Sequence, residues 1–358
     1  MTEQLSRTRG PSGDGRSSSS YTDLACLVRE SGLMARRYGY YWSRLSLAGV
    51  ALAGLVAAMV WLGNSWFQLV VAGLLGWVLA QCGFLGHDAA HRQVFVSRVW
   101  NEWTARIVSG AVVGLSYGWW RGKHNLHHAN PNQVGRDPDV ASGVLALTRE
   151  VAEQRVVGIR GWCTRHQGWL FFPLLTLEGI NLHVASLRGL LAARSPHRRV
   201  ELSLIIGRLA GLVALLVVLL PPGKVVAFLA VQLAVFGVLL GGSFAPNHKG
   251  MPIVPRDLKI DFLHRQVLMS RNVRGNLFID AVMGGLNYQI EHHLFPSMPR
   301  PNLKHVQPLV RDYCSSHGVP YTELGPFASF AVVIGYLNHV GLRARDPFDC
   351  PLAAQLRG

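Results

Sequence analysis

Residues 45–62 read LSLAGVALAGLVAAMVWL, eighteen consecutive residues without a charge. Three further uncharged or nearly uncharged runs lie at 66–85, 202–220 and 225–244. A helix needs about 17–25 apolar residues to cross the hydrocarbon of a bilayer, so each run is long enough. The links at 63–65 and 221–224 are short, which predicts that the four transmembrane helices form two hairpins.

The basic residues lie almost entirely on one side of these predicted helices. Of the 35 Lys and Arg, 33 fall before residue 45, within 86–201 or after residue 246, and the other two are Arg208 and Lys224. Short loops rich in Lys and Arg face the cytoplasm, which assigns that side. Arg208 is expected to extend its long side chain back to the surface. The net charge of +15 then indicates topology and contact with anionic lipid, and no nucleic-acid partner is predicted.

Composition narrows the class of protein further. Only 15% of the residues are charged and 49% are hydrophobic, with a mean hydropathy of +0.22, which excludes a disordered chain. The five cysteines are scattered and exclude a disulfide scaffold. We predict a disordered tail over 1–25, a membrane domain over 26–320 and a cytoplasmic segment over 321–358.

Two interrupted apolar stretches, 104–120 and 169–191, contain Arg106, Glu178 and His183. We interpret them as amphipathic helices in the membrane interface, with Trp119 and Trp120 at headgroup depth. A further pair of membrane spans is the alternative. The predicted fold is therefore an all-α integral membrane protein: four transmembrane helices in two hairpins, with a cytoplasmic helical cap.

Three histidine clusters lie in the segments assigned to the cytoplasm. They read HDAAH at 87–91, HNLHH at 124–128 and QIEHH at 289–293, and His248 follows the fourth apolar run. Histidines at i, i+3 and i+4 share one face of a helix. Gln289 takes the first position of the third cluster. Three such clusters on one membrane face favour a metal site over isolated, solvated side chains.

The type of ligand indicates which metal the site would bind. Imidazole suits zinc, iron, copper and nickel. None of the five cysteines lies in a cluster, and eight imidazoles are too many for one four-coordinate zinc ion, so two metal ions are predicted and iron is favoured. The following residues are expected to orient the imidazoles: Asp88, Asp137, Asp139, Asn247 and Glu291.

These three motifs, in this order and separated by apolar hairpins, resemble the histidine boxes of membrane fatty-acid desaturases. The stretch NYQIEHHLFP at 287–296 and the GRDPD at 135–139 are similar to the front-end and linoleoyl-CoA-type branch. The resemblance covers roughly 45–310, most of the chain. The sequence contains no His-Pro-Gly-Gly motif of the cytochrome b5 domain that many members carry.

The resemblance implies a non-haem di-iron centre that uses O2 and two electrons to place a cis double bond in an acyl chain. The implied ligands are His87, His91, His124, His127, His128, His248, His292 and His293. Gln289 stands where other branches carry His, and either binds iron, directly or through water, or packs at the edge of the site. With Asp88 and Asn247 it is assigned a supporting catalytic role.

The implied partners are a fatty acyl-CoA or acyl lipid, membrane lipid, and a separate electron donor such as a ferredoxin with its reductase. The expected location is the plasma membrane of a bacterium, with the boxes cytoplasmic. The nearest alternative function is another membrane di-iron enzyme, an acyl, alkane or carotenoid hydroxylase. A zinc-dependent membrane hydrolase or receptor, or a metal transporter, is more distant, because the four spans contain no ionisable residue except Arg208.

Overall fold

A computed structural model describes residues 20–342, except 142, 156 and 193–194. Its helices are α1 (Ser20–Glu30), α2 (Tyr38–Leu62), α3 (Gln68–Ala90), α4 (Arg98–Ile107), a π-helix (Val108–Val113), α5 (Tyr117–Ala129), α6 (Arg149–Glu153), α7 (Gly158–Arg165), α8 (Phe171–Ala192), α9 (Arg198–Leu219), α10 (Pro222–His248), α11 (Phe262–Leu268), α12 (Leu277–Val282), α13 (Gln289–Leu294), α14 (Arg300–Ser316) and α15 (Pro326–Leu342). Two short strands, β1 (Asn272–Val273) and β2 (Glu323–Leu324), pair in parallel. In the chain, β1 follows α11 and β2 precedes α15.

The prediction of four long apolar helices is confirmed. In the described part of the chain, α2, α3, α9 and α10 are long and apolar enough to cross a membrane. The helices are longer than the apolar runs: α3 continues past residue 85 to Ala90, and α10 continues past residue 244 to His248. His87 and His248 therefore lie on the last turns of two candidate membrane helices.

The four helices do not pack as two equal hairpins. Helix α2 packs against α3, as predicted, whereas α10 packs mainly against α3 and α8 and only lightly against α9. Small residues allow the close approach: a Cβ added at Gly237 would lie 2.5 Å from the backbone nitrogen of Gly179. The central layer of the fold is therefore α3, α10 and α8, which together lead to the histidines.

The prediction of one amphipathic helix over 104–120 is wrong, because the stretch is broken into the end of α4, the π-helix and the start of α5. Gly114 ends the π-helix in the left-handed region at φ +93°, which a residue with a Cβ rarely adopts. Arg208 does not simply reach the surface. Its Nε donates a hydrogen bond to the carbonyl of Val112, 2.9 Å away, beside this break.

The second ambiguous stretch, 169–191, contains one continuous helix, α8. It packs along α10, and its position in the membrane interface stays a prediction.

The predicted disordered tail over 1–25 is wrong for residues 20–25, which begin helix α1. Leu24 and Val28 are buried and belong to the same apolar cluster as residues of α14 and α11. One face of this short helix thus has a tertiary partner, which composition alone does not show. Residues 1–19 of the predicted tail lie outside the described residues.

The C-terminal segment packs onto the rest of the protein. Helix α15 contacts α10 and α7, and its Val333 and Leu337 share an apolar cluster with Ala245. Residues 343–358 of the predicted segment are not described, and the division of the chain at 320 stays a prediction.

A buried carboxylate fixes the start of α5. Glu201 accepts hydrogen bonds from Ser116 Oγ at 2.6 Å and the Gly118 nitrogen at 3.2 Å, and it pairs with Arg106 Nε at 3.2 Å. Ser116 Oγ in turn accepts from the nitrogen of Trp119 in the first turn of α5. Glu201 therefore holds in place the helix that carries the second histidine cluster.

Replacing Glu201 by Ala is expected to destabilise the protein by about 3–5 kcal/mol, because it leaves the Arg106 guanidinium buried without its partner. A lower midpoint of thermal unfolding in detergent would measure this loss. The control is Glu153→Ala, which removes an exposed pair with Arg149 and should cost about 1 kcal/mol or less. Equal midpoints for the two variants would show that Glu201 does not hold α5.

Candidate metal centre

The structure brings all eight predicted histidines together at one end of α3 and α10. His87 and His91 lie one turn apart at the end of α3, and α5 carries the three histidines of the second motif. The short helix α13 presents His292 and His293 on consecutive positions, so that their rings diverge at an interplanar angle of 86°. His248 completes the set from the last turn of α10.

These rings form two groups that could each hold a metal ion. The first group is His87, His91, His124 and His292, and the second is His127, His248 and His293. Each histidine offers one ring nitrogen, and within each group these nitrogens all lie within 4.8 Å of one another. His128 lies between the groups: its Nε2 is 3.0 Å from His124 Nε2, and its ring stacks on His293 with centroids 4.2 Å apart.

Hydrogen bonds fix how the rings of the second group are oriented. His127 Nδ1 lies 3.0 Å from Asp137 Oδ2, His248 Nδ1 lies 3.0 Å from the Met269 carbonyl, and His293 Nδ1 lies 2.9 Å from Gln266 Oε1. Each Nδ1 that donates to such an oxygen leaves the lone pair on Nε2. Two of these Nε2 atoms, on His127 and His248, lie only 3.3 Å apart. Converging lone pairs of this kind suit a shared cation.

The first group contains ring nitrogens that are buried without a hydrogen-bond partner among the described residues. They include Nε2 of His87, Nε2 of His91 and both ring nitrogens of His292. A buried polar group without a partner is costly. A metal ion would bind one nitrogen from each of these three rings at once, so the donor set fits a metal.

The protonation of the rings favours the same conclusion. Burial lowers the pKa of five imidazoles well below its usual value: His91, His124, His128, His292 and His293. They are therefore neutral near pH 7, the form that binds metals. Burial also lowers the pKa of His127, but its hydrogen bond to Asp137 and the negative charges of Asp139 and Asp137 together outweigh this effect, and the pKa is raised overall.

The predicted supporting carboxylates occupy different positions. Asp88 Oδ1 lies 3.4 Å from His87 Nδ1, while its Oδ2 pairs with Arg300 at 2.5 Å. Asp139 lies 3.5 Å from His127 Nδ1 and pairs with Lys123 at 2.6 Å. Both are thus next to a histidine of the candidate site and held by a cation.

Glu291 and Asn247 contact other groups. Glu291 accepts hydrogen bonds from Asn272 and Tyr321, each at 2.7 Å, and burial raises the pKa of its carboxyl to about 7. It holds α13 against β1 and forms no hydrogen bond to an imidazole. Asn247 donates at 3.2 Å to Gln289 Oε1 and also to backbone carbonyls, so it orients the glutamine and not a histidine.

Gln289 lies at the edge of the second group. It is 1% exposed, and its Nε2 is 2.9 Å from His248 Nε2. The bond from Asn247 to its oxygen directs the NH2 group toward the histidine. The glutamine therefore faces the nitrogen that would bind a metal, as the helical spacing of QIEHH predicts.

Several contacting residues were not predicted from the sequence. Gln266 and the Met269 carbonyl contact candidate ligands, and Arg300 pairs with Asp88 beside His87. Trp120 stacks on His124 with ring centroids 4.2 Å apart. Trp119 and Trp120 both line the cavity beside the histidines, and their headgroup depth stays a prediction. No spacing in the sequence marks Gln266 or Met269, since they reach the site through the fold of 249–271.

A cavity of about 780 Å³ opens beside the histidines, between α3, the π-helix, α5, α8 and α10. His87, His124, His127 and His248 form part of its wall, and most of the remaining lining is apolar, with Phe84, Leu175 and Phe244 among them. A site of this volume and polarity suits a flexible apolar molecule. Its contact with both histidine groups would place such a molecule beside the metals.

Fold and site together define an integral membrane protein with a histidine-built metal centre facing an apolar cavity. Comparison with known proteins then gives the family: the fatty acid desaturase model matches residues 64–325. The chain belongs to the fatty acid desaturase family.

Three relatives illustrate the similarity. An acyl-lipid (9-3)-desaturase of Physcomitrium patens is 32% identical over 91% of this chain and 63% of its own length. A delta(5) fatty acid desaturase of Caenorhabditis elegans is 30% identical over 90% of this chain and 73% of its own length. Fatty acid desaturase 3 of Bos taurus is 34% identical over 80% of this chain and 64% of its own length. The chain thus spans less than two thirds of the moss and bovine relatives.

Proposed function

We propose that the protein is a membrane fatty-acid desaturase, an oxidoreductase that introduces a cis double bond into an acyl chain with O2 and two electrons. The observation that carries the proposal is the apolar cavity of about 780 Å³ whose wall includes histidines of both groups. The family and the activities for which the three relatives are named support it.

The metals we propose are two iron ions, one for each histidine group, with His128 between them. Such a pair would reduce O2 to an oxidant that is strong enough to break unactivated C–H bonds. Side-chain acids and bases cannot attack these bonds. All-imidazole groups of this kind fit iron, and the absence of cysteine from both groups argues against a structural zinc site.

The protein's own residues have three tasks in this reaction. The apolar cavity wall holds the acyl chain, and Trp120 and Phe244 exclude water beside the histidines. Asp137, Gln266 and the Met269 carbonyl fix the rings of the second group. Asp88, which Arg300 holds in place through an ion pair, orients His87. Asn247 fixes the amide of Gln289 next to His248.

The substrate we propose is an acyl-CoA or an acyl lipid, and the electron donor is a separate carrier such as a ferredoxin with its reductase. The excess of basic residues on one side of the candidate spans would attract both an acidic carrier and anionic lipid. We propose that this side, with the histidines, is cytoplasmic. The three relatives come from eukaryotes and give no support to the expected bacterial plasma membrane.

The orientation predicts opposite labelling of two exposed positions, Asn64 in the link between α2 and α3 and Asn125 within the second cluster. In a background without native cysteines, Asn64→Cys should react with a membrane-impermeant maleimide in intact cells. Asn125→Cys should react only after permeabilisation. Reaction of Asn125→Cys in intact cells would contradict the proposed topology.

Expression in a host that lacks such an enzyme, followed by lipid profiling with double-bond localisation, tests the function. The expected product is an unsaturated acyl chain that is absent from cells with the empty vector. A hydroxylated acyl chain or carotenoid would instead assign the protein to the alternative class. No new lipid, with the protein present, metal-loaded and supplied with a donor, would contradict the proposal.

A further inference from the structure

Four charged side chains interrupt the mostly apolar lining of the cavity: Lys123, Asp139, Glu178 and Lys249. The two lysines flank the metal groups, because Lys123 precedes His124 of the first group and Lys249 follows His248 of the second. Any molecule that fills the cavity next to the histidines therefore also passes a lysine.

The partners of these charges differ. Lys123 Nζ forms an ion pair with Asp139 Oδ1 at 2.6 Å, and Glu178 accepts a hydrogen bond from Asn181 at 3.0 Å. Lys249, which is half-buried, has no carboxylate oxygen within 4.0 Å of its ammonium and forms no side-chain hydrogen bond to the described residues. The carboxylates of Asp139, Asp137 and Glu178 attract the ammonium without contacting it, so its N–H donors are available to a ligand oxygen in the cavity.

The backbone around Lys249 is held rigidly. The buried Arg271 donates to the carbonyls of Lys249 and Pro246, and the Met251 nitrogen donates to the carbonyl of His248. Gly250, at φ +81°, leaves no room for a Cβ, which would lie 2.6 Å from Val332 Cγ1 of α15. The lysine is thus anchored at its base, next to His248, and its position does not depend on a loose loop.

We propose that Lys249 binds the oxygen-bearing head end of the acyl substrate, and thereby sets which carbons lie beside the metal groups. This inference rests on the proposed function. The acceptor class is a carboxylate, a thioester or ester carbonyl, or a phosphate oxygen close to C1. Lys249 directly follows His248, so the head that its ammonium binds lies within reach of one flexible lysine stem from the second metal group.

Two variants test this assignment through the product. Lys249→Met keeps the length of the stem and removes the charge, so the acyl chain can slide along the cavity and the double bond should appear at several positions. Lys249→Arg keeps the charge and should give one main position. The matched control is Lys259→Met, which removes one exposed charge outside the cavity lining and should give the parent product.

A binding measurement tests the same point without catalysis. The purified full chain in detergent is titrated with tritiated oleate and with tritiated oleyl alcohol, which differ only at the head. We expect the parent chain to bind oleate about tenfold more tightly, as a hydrogen bond to a charged group contributes on that scale. In Lys249→Met the preference should vanish through weaker oleate binding, while Lys259→Met and Lys249→Arg retain it.

An unchanged oleate preference in Lys249→Met, or a parent chain that does not distinguish the two probes, would overturn the inference. Circular dichroism and metal content, equal in all variants, show that the chain is folded. The two proposals fail separately. An unsaturated product whose position is unchanged in Lys249→Met overturns only the role of the lysine, whereas selective oleate binding without any unsaturated product overturns only the desaturase function.

Discussion

Replacing His292 by Ala is expected to abolish the unsaturated product, with a loss of more than about a hundredfold, because even residues that only orient a ligand change metal affinity or activity by about 10–100-fold. His292 is fully buried and belongs to the first group of rings, and neither of its ring nitrogens has a partner among the described residues. Its removal leaves three imidazoles in that group and a void between α3 and α5.

The same result is expected for His127→Ala in the second group, where the ring bonded to Asp137 is lost. Both variants should contain less iron than the parent chain, measured by mass spectrometry of the purified protein. The control is His317→Ala. His317 lies at the end of α14, where it stacks on Tyr313 and belongs to neither metal group, and its loss should leave activity and iron content close to the parent. Full activity in either ligand variant would contradict the ligand assignment.

The second large effect is expected at Gln289, where this chain has an amide instead of a third imidazole in its third motif. Gln289 donates toward His248 Nε2 at 2.9 Å and is itself fixed by Asn247. Replacement by Ala removes this polar contact from a buried position next to a ligand nitrogen. Activity should fall by about 10–100-fold, while most of the iron is retained because seven of the eight histidines form no hydrogen bond to Gln289.

The substitution Gln289→His separates a polar role from a packing role. It restores a nitrogen at the same point and should keep measurable activity, above that of Gln289→Ala. Product formation and iron content are measured on the same preparations. If Gln289→Ala produced the double bond as fast as the parent, with unchanged iron, Gln289 would belong to the packing of α13 and not to the metal centre.

The parts of the fold that follow from local pattern could be predicted. The four apolar runs become helices because a single segment in lipid satisfies its own backbone hydrogen bonds only as a helix, and α2, α3, α9 and α10 confirm them. The histidine motifs bring their rings together because i, i+3 and i+4 share a helical face. His248, a single histidine, could be placed only by its position after the last run and by the resemblance.

The features that depend on packing between distant segments were missed. The break at Gly114 and the ordering of residues 20–25 depend on neighbours far away in the sequence, as Arg208 and α14 show. The same holds for Gln266 and the Met269 carbonyl, which reach the rings from a segment without any metal motif. The preference of α10 for α3 and α8 over its sequence neighbour α9 follows from close glycine contacts, which hydropathy does not report.

The iron content of the purified parent chain tests the central claim most directly. Two groups of imidazoles, with four and three members and His128 between them, predict close to two iron ions per chain after expression with sufficient iron. Removal of the metal by a chelator should abolish the unsaturated product, and added ferrous iron should restore it. One zinc ion per chain, or full activity in a chain without iron, would contradict a di-iron desaturase.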